Sequence, residues 1–243
     1  MDAREKLFLW NFIRESDLIE QIPNDRKRLR DEVAAEKNEG HVGAMLFARA
    51  RAEKKESISE DFIKDVQRLI CAEQHKKGAK KIRKKNLGRY RTVDVSIVVK
   101  KPFFAGGIVI WDHSTVIREA PPPEKVASLM EKFVRDIAEW QKQAPFLSPQ
   151  ENAYRAAVAH FDFEEIHPFV DGNGRTGRVL AYYMLRYAGL EPFVFWECGK
   201  SHDYYPAFKS RESMKEYFRV RVFEPEKILG RIETITEDEM IEF

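Results

Sequence analysis

Apolar residues recur along this chain at two periods, and the helical one dominates. Val126, Leu129, Met130, Phe133, Ile137 and Trp140 form a regular amphipathic stripe behind Pro121-Pro122-Pro123, where a helix can begin. Phe62, Ile63, Val66, Leu69 and Ile70 form a second stripe, and Ser57-x-x-Glu60 has the spacing of a capping box that opens it. Tyr154, Ala157, Val158 and Phe161 predict a third helix, from Glu151 to about Ile166, which Pro168 ends by biasing His167 away from the right-handed helical region. A fourth starts at about Arg175 and runs to about Ala188, where Gly189 and Pro192 stop it. Near the amino end, Ala3 to Glu20 reads as helix up to Pro23. Counting from Leu9, Phe12, Ile13, Ser16 and Glu20 follow at i+3, i+4, i+7 and i+11, so a carboxylate lies on the face that should be buried. One segment keeps a period of two. Val93, Val95, Ile97 and Val99 alternate, and Ile108 to Trp111 follow a turn containing Pro102 and Gly106-Gly107, which predicts a β-hairpin. The fold class is therefore mainly α, one domain with a hairpin.

Composition narrows this picture without redirecting it. At 243 residues and 43% hydrophobic content, the chain can bury one well-formed core. No apolar run approaches the length that spans a bilayer, and Glu5, Arg14 and Glu15 interrupt any signal-peptide core, so a cytoplasmic protein without membrane contact is expected. Cys71 and Cys198 set no disulfide framework and read as buried small hydrophobes in a reducing compartment. A net charge of +2 on 42 basic and 40 acidic residues argues against bulk nucleic-acid binding. The basic run from His75 to Arg91 offers one aromatic platform, Tyr90, and reads as a solvated loop. No internal repeat is present.

The chemistry is concentrated in His167-Pro168-Phe169-Val170-Asp171-Gly172-Asn173-Gly174-Arg175-Thr176-Gly177-Arg178. An imidazole suited to general-base work sits beside a hard carboxylate, two glycines that let backbone N–H groups curl around phosphate, and a helix N-terminus. Arg175 and Arg178 are three apart and share a helical face. Three other readings fail on context. The Gly172-x-Gly174-x-x-Gly177 spacing matches a dinucleotide fingerprint, but a helix precedes it where that motif needs a strand. A P-loop needs Lys-Ser/Thr where Arg178-Val179 stands, and a calcium loop needs oxygen ligands where Arg175 and Tyr182 stand.

The same twelve residues resemble the signature of the Fic family, His-x-Phe-x-Asp/Glu-Gly-Asn-Gly-Arg-x-x-Arg, with every defined position present. The likeness extends over roughly residues 8 to 220. Pro121-Pro122-Pro123 and the stripe behind it resemble the family's proline-led helix. Gly88-Arg89-Tyr90-Arg91-Thr92 resembles the segment leading into its flap, and Tyr204-Tyr205 its tyrosine pair on the adenine side. The resemblance implies a Fic-type helical domain with the hairpin, about 93–111, as a flap over the active site. It also implies transfer of AMP from ATP to a hydroxyl side chain of a target protein, with release of pyrophosphate. His167 would be the general base, Asp171 the Mg²⁺ ligand, and Gly172, Asn173 and Gly174 the phosphate cradle. Arg175 and Arg178 would bind the β- and γ-phosphates, Tyr204 and Tyr205 the base, and Phe169 would pin the loop to the core. The flap would present the target as an extended segment.

Ser16-Asp17-Leu18-Ile19-Glu20-Gln21 resembles the family's inhibitory motif, Ser/Thr-x-x-x-Glu-Gly/Asn, with Gln21 departing from it. It implies an N-terminal helical segment over 1–50, carrying inhibitory Ser16 and Glu20, packed as one unit with a core over 51–243. A buried acid needs a partner, and Arg178 is the obvious one. Glu212 stands where relatives often have an asparagine, a departure that bears on base recognition. Two rivals stay open: transfer of another nucleotide or a phosphoryl group on the same fold, the intact glycine loop arguing against the phosphoryl variant, and a nucleotide-sensing module that binds nucleic acid through the basic segment. Association with further copies is compatible with either.

Overall fold

A computed structural model of the chain describes residues 1–23, 25–76, 83–98, 101–105, 108–112, 116–199 and 203–227, without the side chains of residues 73, 75, 76 and 98–118. The helices run α1 (Ala3–Ile19), α2 (Arg26–Ala34), α3 (Gly40–Glu53) and α4 (Glu60–Lys76). They continue as α5 (Pro123–Gln143), α6 (Pro149–Ile166), α7 (Asn173–Tyr187), the short α8 (Tyr205–Ala207) and α9 (Arg211–Phe223). None of the described helices is long and apolar enough to cross a membrane.

The centre of the fold is α7, buried without a break from Arg175 to Leu185. A helix covered on every side must be surrounded by others, and α3, α4 and α6 pack on it, with α1 joining along its length from Arg178 to Arg186. α9 and α5 then pack on α6. Residue 50, the boundary drawn from the sequence, falls inside α3, which packs on both α4 and α7. The amphipathic stripe of α5 is buried as its period requires, through Val126, Met130, Phe133, Ile137 and Trp140.

Local signals fix most helix ends. Asp2 and Asp25 cap α1 and α2. Ser148 and Glu151 form a reciprocal capping box at α6. The start of α4 corrects the sequence reading: Ser59, not Ser57, accepts the Phe62 N–H at 3.1 Å. Two serines competed for one cap, and the one nearer the first helical turn took it.

Strands β1 (Ser96–Val98) and β4 (Val116–Glu119) pair antiparallel, as do β2 (Lys101–Ala105) and β3 (Ile108–Asp112). The pairing therefore reaches Glu119, beyond the 93–111 drawn from the sequence. Pro102, expected in a turn, stands within β2 opposite Trp111. In a two-stranded ribbon each strand keeps an open edge, where a residue without an N–H loses no ladder bond. Gly106-Gly107 lie outside the described residues, as do residues 77–82 of the basic segment.

Candidate active site

The loop between α6 and α7 is held from three sides. His167 closes α6 in the left-handed region, at φ 49° and ψ 58°. Arg91 fastens that strained residue. Its side chain donates to the carbonyls of His167 (2.8 Å), Val93 (3.1 Å), Ile166 (3.4 Å) and Pro121, and its backbone N–H donates to Pro168 O at 2.9 Å. Asn173 closes the loop from the other end, trading two bonds of 2.8 Å with the backbone of Phe169. The Phe169 ring is fully buried, as its anchoring role requires. From α4, Gln67 donates to Asp171 O at 3.0 Å. Gly172 sits at φ 82°, and a Cβ there would fall 2.6 Å from Cys71 Sγ, so both conformation and space demand glycine.

His167 lies three residues after Glu164, whose carbonyl is 3.2 Å from Nδ1. A carbonyl can only accept, so Nδ1 carries the proton and Nε2 keeps its lone pair. Burial lowers the imidazole pKa, against an opposing push from the Glu164 carbonyl and Glu20, and favours this neutral form. The Glu164 carboxyl is buried beside Gly177, with Oε1 unpartnered, and burial raises its pKa to about 8.

The N-terminus of α7 differs from those of α1, α2 and α6 in having no side-chain cap. What approaches it is Glu20. A Cβ on Gly174 would fall 2.1 Å from Glu20 Oε1, so that carboxylate rests against the first turn. Arg178 holds it there. Nη2 donates to Glu20 Oε1 at 2.7 Å and to Ser16 O at 3.0 Å, and Nε donates to Ser16 Oγ at 2.8 Å. Burial alone would raise the Glu20 pKa, but Arg178, then Arg175 and His167, outweigh it and leave it lowered. The side chain remains 35% exposed toward a cavity bordered by His167, Gly174, Tyr204 and Tyr205.

Backbone geometry explains the residue type after Glu20. Gln21 N–H donates to Leu18 O and Ile22 N–H to Asp17 O, both at 2.9 Å. Those two bonds define a Schellman end with Glu20 as C-cap, and its next position takes positive φ, here 57° at Gln21. Glycine and asparagine take that conformation most cheaply, so the Gly/Asn of the motif is a helix-end requirement that Gln21 meets with strain.

The two arginines of the motif part company, a correction to the shared-face expectation. Arg178 turns to α1, whereas Arg175 turns to α4 and meets Gln74 Oε1 at 3.0 Å and Asp171 Oδ1 at 3.3 Å. Different partners pull them apart despite the three-residue spacing. The Asn173 side chain is likewise spent on the loop, leaving its backbone N–H for any ligand. Asp171 is 34% exposed beside the uncapped turn, so one carboxylate face is open, which suits a Mg²⁺ ion otherwise held by phosphates and water. Among the described residues no group of three or more His, Cys, Asp or Glu could hold a metal by itself. Tyr204 is buried and Tyr205 half-buried at the cavity wall. Ile97 of β1 borders the same cavity. Glu212 stands in the first turn of α9 and faces solvent. Cys198 is exposed, contrary to expectation, on a short turn after α7.

Arg91, Gln67 and Glu164 were missed by sequence reasoning. Arg91 read as one more charge in a basic run, because a side chain that serves only carbonyls leaves no spacing pattern. Glu164 was detectable as an acid at i−3 from His167.

The sequence profile of the Fic/DOC family matches residues 57–185, more than half of the chain. A Nematostella vectensis protein named protein adenylyltransferase Fic is 32% identical over 155 residues, 63% of this chain and 28% of that protein. A Drosophila melanogaster protein of the same name is 38% identical over 85 residues, 35% of this chain and 16% of that one. The chain thus matches less than a third of the length of these relatives. Among solved structures, a Fic domain containing signaling protein from Bacteroides thetaiotaomicron superposes with a TM-score of 0.65 at 18% identity, over 98% of this chain and 91% of that one. At that identity the likeness concerns the fold.

Proposed function

Since the chain belongs to the Fic/DOC family, we propose that it moves AMP from ATP to a hydroxyl side chain of a target protein and is held in check by α1. One observation carries the reading: a carboxylate, Glu20, rests on the uncapped first turn of α7 and on Arg178, beside a neutral His167. A built-in anion at a helix N-terminus marks where an anionic ligand binds. The relatives named adenylyltransferase support the choice of nucleotide transfer.

In this scheme the unprotonated Nε2 of His167 takes the proton of the target hydroxyl. The hydroxyl oxygen bonds to the α-phosphorus, the bond to the pyrophosphate oxygen breaks, and pyrophosphate leaves. The N–H groups of Asn173, Gly174 and Arg175 donate to phosphate oxygens, and Arg178 takes the γ-phosphate once Glu20 withdraws. Asp171 would hold Mg²⁺, which when bound neutralises phosphate charge. The outer edge of the β1–β4 ribbon, adjacent to the cavity through Ile97, offers main-chain pairing to an extended target segment.

The test supplies wild type and Glu20→Gly with ATP labelled at the α- or the γ-phosphate, Mg²⁺ and a protein lysate. Attachment of the α-label alone, faster with Glu20→Gly, is expected. Covalent attachment of the γ-label would replace AMP transfer with phosphoryl transfer.

A further inference from the structure

Arg178 has two edges, and α1 reaches only one. The Nε and Nη2 atoms serve Ser16 and Glu20, while Nη1 donates to the Tyr204 hydroxyl at 3.4 Å. Behind that hydroxyl, His160 Nε2 lies 3.0 Å away. His160 belongs to α6 and is 1% exposed; Tyr204 is 3% exposed. The rings of Phe195, Phe208 and Phe218 stand within 6.0 Å of the imidazole, so the chain of bonds runs through an aromatic box.

The direction of the chain follows from donor counting. A guanidinium can only donate, so the Tyr204 oxygen accepts from Arg178, and its own proton is left to point at His160 Nε2. The imidazole then bears its proton on Nδ1, on the side of the Gly177 backbone. The reverse tautomer would leave both the tyrosine proton and Nδ1 unpartnered. Burial, with Arg178 nearby, lowers the His160 pKa to about 3, which keeps the ring neutral and able to accept.

We propose that His160 is a positioning residue: through Tyr204 it holds the core edge of Arg178 in place, so that the other edge is ready for phosphate when Glu20 leaves. This rests on the reading of Arg178 as the phosphate-binding arginine. A long side chain released from α1 would otherwise regain rotamer freedom and bind phosphate less well. The relay keeps the guanidinium ordered in both states, and it works through Arg178 alone.

The experiment uses the full chain in the Glu20→Gly background and titrates it with ATP in the presence of Mg²⁺, following binding by calorimetry and self-labelling by α-labelled ATP. His160→Asn puts its amide at the Nδ1 position, out of reach of Tyr204, and should weaken ATP binding about ten-fold and raise KM with little change in kcat. His160→Gln places an acceptor at the Nε2 position and should restore most of the affinity. Tyr204→Phe keeps the ring and should match His160→Asn, so the link stays testable if the latter folds poorly. On an Arg178→Ala chain neither change should matter further. ATP affinity within about two-fold of the parent for a folded Tyr204→Phe chain would overturn the relay. So would an equal loss from His160→Asn with Arg178 already removed, since that is the mark of a general packing role. If the parent binds ATP but attaches no α-label, the proposed transfer fails, while the affinity comparison still decides the relay.

Discussion

Two non-glycine residues in the left-handed region flank the uncapped end of α7, and they are held very differently. His167, at φ 49°, is fastened by Arg91 through its own carbonyl and those on either side of it. Gln21, at φ 57°, is exposed and follows the half-open Glu20 at the end of α1. Strain persists where the surroundings over-determine it. Under the proposed function, the loop that carries His167 would stay in place in every state, and the helix end that carries Glu20 would withdraw. That contrast is what an autoinhibited site needs. The anion cradle must survive the departure of the group that fills it.

The strongest way to break the contrast is to remove the fastener. Arg91→Ala strips four buried or partly buried carbonyls of a donor at once and should cost about 3 kcal/mol or more, because each unmet group costs on its own. Thermal unfolding should show a large fall in Tm, and transfer should disappear even with Glu20→Gly present. A chain that kept its Tm would show that the loop holds itself.

Gln21→Gly sharpens the other side. Glycine removes the strain at the Schellman position, worth at most about 1 kcal/mol, and should hold Glu20 more firmly on Arg178. Basal transfer should fall by about five-fold or less, with Tm unchanged or slightly raised. A rise in transfer would mean that Gln21 itself contributes to holding the latch closed.

A smaller effect distinguishes the buried acid of the loop from the acid of the latch. The Glu164 pKa is raised to about 8 by burial, so between the ordinary carboxylate range and pH 8 the folded chain keeps a proton that the unfolded chain gives up. Stability from this group is full at low pH and is lost as pH rises through that window. Glu164→Gln, which mimics the protonated acid, should therefore gain Tm over wild type progressively from pH 5 to pH 8. The Glu20 pKa is lowered instead, so its pair with Arg178 persists at neutral pH and is lost only as pH falls through that lowered value. Tm difference curves of the two substitutions against pH should slope in opposite senses.

Much of this site was legible in the sequence, and the boundary is physical. Residues that the structure gathers around one cavity stood out by type and spacing: His167 near Asp171 and the glycines, and Glu20 on the apolar face of α1. Residues that act on backbone groups from far away did not. Arg91 meets His167 across 76 positions and has no partner type to betray it. Side-chain direction was also out of reach: three-residue spacing put Arg175 and Arg178 on one face, but Asp171 and Gln74 drew one away while Ser16 and Glu20 drew the other. The fold followed the apolar periods closely, except where two serines competed for the cap of α4 and where a proline was read as a turn although an open strand edge accommodates it.

Under the proposed function, Glu20 occupies the place of a phosphate. A charge-assisted pair of this kind contributes about 1.5–3 kcal/mol when buried, and the 35% exposure of Glu20 argues for the lower end, roughly a ten-fold restraint. The direct test is the initial rate of α-label transfer at saturating ATP for wild type, Glu20→Gly, and Glu20→Gly with Arg178→Ala. The rate should rise about ten-fold for the single substitution, and the double should lose that gain. Equal rates for wild type and Glu20→Gly across ATP concentrations would contradict it.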